Sequence, residues 1–123
     1  MTTAYWMILL AGLLPYWPTV TSKWRRDYSN AAPRAGVDKL APRNQRAYWA
    51  QLNAFEAFPL FAAAVIIAHL ARADQAWVNG LAVAFVGFRA AYTLAYIYDK
   101  PTLRSLLWLG GVFCVIGLFI TAA

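Results

Sequence analysis

Arg46, Trp49, Asn53 and Glu56 follow one another at steps of three, four and three inside RAYWAQLNAFEAFPLF, a segment otherwise apolar and aromatic. On an α-helix those steps fall along one stripe. A carboxylate at membrane depth is costly and generally functional, so the stripe marks a polar face directed at a ligand or partner. A second stripe, Arg89, Tyr92 and Tyr96, occurs at steps of three and four. Glu56 and Arg89 each lie ten residues inside their segments, counted from Arg46 and Asp99. At ~1.5 Å per residue the depths match, which predicts an ion pair between antiparallel helices. Such a pair either fixes helix register and nothing more, or belongs to a polar patch that Asn53 and the tyrosines extend. Arg104 stands at the start of a further apolar run, where the helix dipole opposes a cation. It either snorkels to lipid phosphate or binds an anion, a thiolate or a carboxylate, in a cleft shared with Arg46 and the tyrosines.

The elements that must position these groups are membrane spans. Of 123 residues 62% are hydrophobic and 13% charged, more apolar material than a small soluble core can hide. The apolar residues gather in four runs, and only helices or closed barrels satisfy their backbones in lipid. The runs lack the alternation of barrel strands. The expected fold is therefore all-α: an integral membrane four-helix bundle in one domain, residues 1–123, with helices over about 4–20, 47–71, 75–98 and 102–122. The first run lacks a basic flank before it and contains Pro15 and Pro18, so it reads as a retained helix distorted near its exit, not as a secretion signal. Pro59 is expected to kink the second helix, and Pro101 suits the first turn of the fourth.

The formal charge of +6 reflects topology. Lys23, Arg25, Arg26, Arg34, Lys39, Arg43 and Arg46 lie between the first two spans, in or beside a connection over 21–45 expected to have little regular structure. Lys100 and Arg104 flank the last connection, on the same side. The positive-inside rule makes that side cytoplasmic and both termini external, periplasmic in a bacterial inner membrane. A nucleic-acid partner then has little left to explain, whereas anionic headgroups are compatible with the charge. Cys114 is the sole cysteine and His69 the sole histidine, so no metal site is expected. The tryptophans sit mostly near helix ends and read as interfacial anchors.

Taken together, RAYWAQLNAFEAFPLF, RAAYTLAY from Arg89 and PTLRS from Pro101 resemble the membrane-associated proteins of eicosanoid and glutathione metabolism, the MAPEG family, in a bacterial-type form. The resemblance covers nearly the whole chain. It implies a homotrimer with glutathione as cosubstrate, bent into a cleft between subunits near the cytoplasmic side. It also implies roles. Asn53 and Glu56 would hold the peptide backbone and amine, with Gln51 nearby and Tyr92 and Tyr96 in contact from the third helix. Arg26, or Arg25 beside it, would come from the end of the first helix, and Arg104 would be catalytic, holding the thiol as thiolate. Arg46 and Arg89 complete the expected binding set. Trp49 departs from the pattern, standing where glutathione-using members often carry an arginine that grips a carboxylate. A tryptophan cannot make that fork contact, so Arg46 or a loop cation replaces it, or the site takes another amphiphile.

The leading functional expectation is a glutathione-dependent transferase or peroxidase acting on lipophilic electrophiles or lipid hydroperoxides that arrive from the bilayer. The alternative is a noncatalytic member that binds lipid or presents it to a partner. A small multidrug transporter would want its membrane acid in the first span, which has none.

Overall fold

Pro15 divides the first apolar run in two. It has no N–H to give the carbonyl of Ala11, and the computed structural model, which describes residues 1–123, has α1 over Thr3–Leu13 and α2 over Tyr16–Lys23 in place of one helix. Together they rise about 31 Å, one hydrocarbon thickness. Next comes α3, Pro42–Leu70, which begins at Pro42 and not at Ala47. The expectation stopped where the apolar run stops, but a helix does not need apolar residues once it is in water. Pro42 suits the first helical position, and α3 at about 43 Å overshoots the hydrocarbon core by about two and a half turns. It runs through Pro59 as one continuous helix. α4 spans Gln75–Ile97 and α5 Pro101–Ala122. α3, α4 and α5 are long and apolar enough to cross a membrane.

The helices make an antiparallel bundle in which α4 packs most extensively on α5, while α3 contacts α2, α4 and α5. Phe61 of α3 stacks on Phe85 of α4, ring centroids 3.9 Å apart and 7° from parallel. α5 approaches α4 closely at Gly110, where a Cβ would stand 2.6 Å from the Phe88 ring. Outward, large side chains such as Leu60, Leu70, Phe113 and Ile120 are exposed. In an integral membrane protein those faces meet lipid or another subunit.

Both hairpins end their helices in the same way. Ala73 N–H donates to Ala68 at 3.0 Å and Arg72 N–H to His69 at 3.1 Å; Lys100 N–H donates to Ala95 at 2.8 Å and Asp99 N–H to Tyr96 at 3.2 Å. These are Schellman caps, whose central residue must be left-handed. Arg72 and Asp99 occupy those positions at φ 57° and 58°. An L side chain there costs ~1 kcal/mol relative to glycine. Arg72→Gly is accordingly expected to raise unfolding stability in detergent by about that amount, read as a shift of the thermal midpoint. A lower midpoint would show that the arginine side chain makes a stronger compensating contact.

At the end of the bundle bearing the termini, His69 joins α1 to α3. Its Nδ1 faces the Val65 carbonyl at 2.7 Å, its Nε2 the Thr2 hydroxyl at 2.8 Å, and its ring stacks on Tyr5 at 4.0 Å. Asn79 Oδ1 accepts from the Ala4 amide at 3.0 Å. His69 is thus a packing residue between helices, not a side chain loose at the interface.

At the opposite, basic end, the connection between α2 and α3 has one 3₁₀ turn as its regular structure and is tied down by side chains. Asn44 Nδ2 donates to the carbonyls of Thr21, Ser22 and Trp24, satisfying the exposed end of α2. Arg25 donates to the Ala35 carbonyl at 2.9 Å and to Asp27 at 3.2 Å. Gly36, at φ +70°, supplies the left-handed turn leading into a short 3₁₀ turn at Val37–Lys39.

Candidate functional site

The two stripes read from sequence face each other across α3 and α4. Arg89 is 3% exposed, and its Nη2 donates to Asn53 Oδ1 at 2.6 Å. Its guanidinium also lies over the Tyr92 ring, 4.2 Å from the centroid. The expected Glu56–Arg89 ion pair does not form: the chain has one ion pair, Arg25–Asp27, and Glu56 is exposed. The reason is rotational. Glu56 lies three residues beyond Asn53, so the two directions on the α3 wheel differ by about 60°, and it is the Asn53 side that meets Arg89.

Below Arg89, Thr93 is fully buried and returns its hydroxyl to the Arg89 carbonyl at 3.0 Å. Tyr92 and Tyr96, one turn apart, meet edge to face at 5.7 Å. Arg104, in the second turn of α5, lies over the other tyrosine, 4.4 Å from the Tyr96 centroid. No acid lies in the first turn of α5, so the unpaired N–H groups of that helix end and the guanidinium favour an anion together. α5 thereby sets a cation against a tyrosine pair that α4 carries and α3 faces.

Two cavities meet at this cluster. One, of about 390 Å³, is lined by Trp49, Leu52, Asn53, Glu56, Tyr92 and Tyr96. The other, of about 380 Å³, shares Asn53 and Glu56 with it, reaches Arg89, and continues between apolar walls that include Leu60, Phe85, Trp108 and Val115. A polar cleft therefore adjoins a lipophilic groove. Trp108 and Phe85 were absent from the expected set; the available signal was the spacing of Arg104 and Trp108, one helical turn apart on one face of α5.

The remaining expected residues are placed differently. Arg46 donates its Nε–H to the Ile97 carbonyl at 3.1 Å, capping the end of α4. It also lines a cavity of about 610 Å³ with Trp49 and Asp99, at the mouth of the polar cleft. Trp49 meets Tyr96 at 6.4 Å. Gln45, with its amide turned so that nitrogen donates to Val37 at 2.7 Å, accepts the Trp49 indole N–H at 3.0 Å. Gln51 faces away from Asn53, into a separate basic cavity with Lys23 and Arg25. Arg26 is exposed. Within one chain, then, Asn53, Glu56, Arg89, Tyr92, Tyr96 and Arg104 come together, Arg46 stands at the rim, and Gln51 and Arg26 lie apart.

No curated protein matches the chain in a sequence search. The MAPEG family model, however, matches residues 3–123, a span that takes in all five helices and the folded basic loop between α2 and α3. A match from end to end, on an all-helical bundle with three membrane-length helices, places the chain in the MAPEG family, membrane proteins of glutathione and eicosanoid metabolism.

Proposed function

We propose that the protein is a glutathione-dependent transferase or peroxidase that works as a homotrimer on lipophilic electrophiles or lipid hydroperoxides. The observation that carries this reading is the junction of the polar cleft and the apolar groove at Asn53 and Glu56, with Arg104 over Tyr96 beside it. The polar cleft is of the size that suits a small ligand. Its groups suit a zwitterionic peptide: Glu56 for an ammonium, the Asn53 amide for a peptide group, and tyrosine hydroxyls for carbonyl or carboxylate oxygens. In this reading Arg104 and the N-terminus of α5 hold glutathione's sulfur as thiolate, the nucleophilic form. The thiolate attacks an electrophilic carbon in the groove and forms a thioether, displacing a leaving group as its anion. With a hydroperoxide it attacks the terminal oxygen, breaking the O–O bond and releasing the lipid alkoxide, which takes up a proton and leaves as the alcohol; the thiol of a second glutathione then attacks the sulfur of the glutathione sulfenic acid, giving the disulfide and water. The apolar groove, lined by Phe85 and Trp108, admits the substrate sideways from the bilayer.

In a trimer, Gln51 and Arg26 of one subunit would serve the cleft of the next, since they lie away from the cleft of their own chain. The Nη groups of the Arg46 guanidinium, whose Nε is committed to α4, would take over the carboxylate contact that Trp49 lacks. Positive-inside topology puts the basic end in the cytoplasm and both termini in the periplasm of a bacterial inner membrane.

A second reading is favoured by Trp49, which rests against Tyr96 and makes the mouth of the cleft aromatic. It is a noncatalytic lipid-binding protein. Glutathione titrated into purified protein at neutral pH discriminates between the two. The catalytic reading expects the ultraviolet absorbance of a thiolate to appear and saturate. A titration without that absorbance, combined with turnover no faster than buffer for both a chlorinated aromatic and a lipid hydroperoxide, would leave the lipid-binding reading in place.

A further inference from the structure

We propose that Arg89 is a positioning residue for the polar cleft. It locks the Asn53 amide so that the cleft offers N–H donors at that point, and a peptide group held there is read at its carbonyl oxygen and not at its N–H. The inference rests on the reading of the cleft as a thiol-peptide site and assigns the polarity of that site. An asparagine amide carries an acceptor oxygen and a donor nitrogen, and either could face a ligand. Arg89 removes the choice. A guanidinium has donors and no acceptor, so the Asn53 atom 2.6 Å from its Nη2 is the carbonyl oxygen. Turning the amide over would set donor against donor beside a charge that is 3% exposed. A buried cation deprived of its acceptor is costly, so the amide stays as it is. Arg89 is itself held in place. The Tyr92 ring covers its guanidinium at 4.2 Å, and its stem lies against α5, where Cδ is 3.6 Å from the position of a Cβ at Gly111.

That leaves Asn53 Nδ2. Its oxygen is taken by Arg89, its nitrogen has no partner within the chain, and no side-chain nitrogen or oxygen is sealed inside the protein without one. The nitrogen therefore opens on the cavities that Asn53 lines. Only Asn53 and Glu56 are common to the polar cleft and the apolar groove. An ionised Glu56 offers acceptors alone. The junction thus shows a fixed donor and, one turn of α3 away at roughly 5–6 Å, a fixed acceptor. A ligand fits it in one sense, with an acceptor oxygen on Asn53 and an ammonium on Glu56. An amide free to turn would take the reversed pattern as well. The bond from Arg89 contributes selectivity without touching the ligand.

The test reads binding and turnover separately on the full-length protein in detergent. Binding is the calorimetric Kd of S-methylglutathione, whose capped sulfur takes no part in chemistry; turnover is kcat and KM for glutathione with a chlorinated aromatic acceptor. Asn53→Asp keeps an oxygen toward Arg89 but has no donor to show. Its thermal midpoint should hold while Kd rises by about ten- to a hundred-fold. Arg89→Gln is neutral and can accept as well as donate, which frees the amide. It should raise Kd and KM by about five-fold, with the pH dependence of kcat in place. Arg89→Lys, again a donor only, should recover most of that affinity. Added to Asn53→Ala, or to Asn53→Asp should the former not fold, Arg89→Gln should bring no further loss. A further loss there would show Arg89 meeting the ligand itself and overturn the proposal. So would Asn53→Asp binding as tightly as wild type, or affinities of the two Arg89 variants that merely follow their thermal midpoints. Wild type that binds S-methylglutathione without turning over glutathione would remove the catalytic reading, and the affinities of the variants would still decide this one. Wild type that does not bind S-methylglutathione would overturn both.

Discussion

Arg104→Ala is expected to remove the thiolate absorbance at neutral pH and to slow glutathione conjugation by ~10²-fold. An unperturbed thiol titrates near 8.5 and is only a few per cent thiolate at neutral pH. A guanidinium together with the free N–H groups at the start of α5 stabilises the anion, which lowers the pKa of a bound thiol. The sign follows: wild type should be active below the ordinary thiol pKa, and the alkaline rise of the variant's rate profile should move toward that value. Stability should change little, because Arg104 is half-buried and its contact with Tyr96 is worth only ~0.5–2 kcal/mol. Arg104→Lys keeps the charge but loses the planar guanidinium, and should fall between. Equal rates for wild type and Arg104→Ala across the pH range would remove Arg104 from the chemistry.

The second large effect concerns stability. Asn53→Ala takes away the one hydrogen-bonded side chain that the buried Arg89 has and leaves its charge inside the bundle. A hydrogen bond to a charged group contributes ~1.5–3 kcal/mol, and an uncompensated buried charge costs at least as much. A loss of about 2–3 kcal/mol is expected in equilibrium unfolding. Arg89→Leu removes the charge as well as the bond, so Asn53→Ala and Arg89→Leu together should cost less than the sum of the two. Glu56→Gln and Arg89→Leu should be closer to additive, since those side chains do not pair. The reverse pattern, strong coupling at Glu56 and none at Asn53, would mean that α3 is rotated in the membrane relative to this structure.

These pairings show where reading the chain residue by residue succeeds and where it stops. Spans of bilayer length were legible because lipid leaves a backbone so few choices, and the two stripes were legible because helical periodicity is local. Counting residues put Glu56 and Arg89 at one depth, but depth is one coordinate. Which of Asn53 and Glu56 turns toward α4 depends on how two cylinders rotate against each other, which is a property of packing at Phe61, Phe85 and Gly110. The convergence of Arg104 on Tyr96 follows from the tight α4–α5 hairpin and so was partly readable. The basic cavity was not. It exists because Arg25 reaches a carbonyl ten residues away and Gly36 turns the chain left-handed, and neither fact is visible in charge counts. Even the start of α3 was hidden, because hydropathy marks where lipid ends and gives no information on where a helix does.

The knot of side chains around His69 has a practical bearing on preparing the protein. Thr2 is the N-cap of α1, since its hydroxyl oxygen takes the Tyr5 amide at 3.4 Å while lying 2.8 Å from the imidazole. A purification handle joined directly ahead of Thr2 would crowd this junction and loosen α1 from α3. Ala123 ends α5 in the open with no side chain to bury. An affinity tag therefore belongs at the C-terminus, and an N-terminal fusion that expresses poorly would be reporting on this junction and not on the polar cleft at the far end of the bundle.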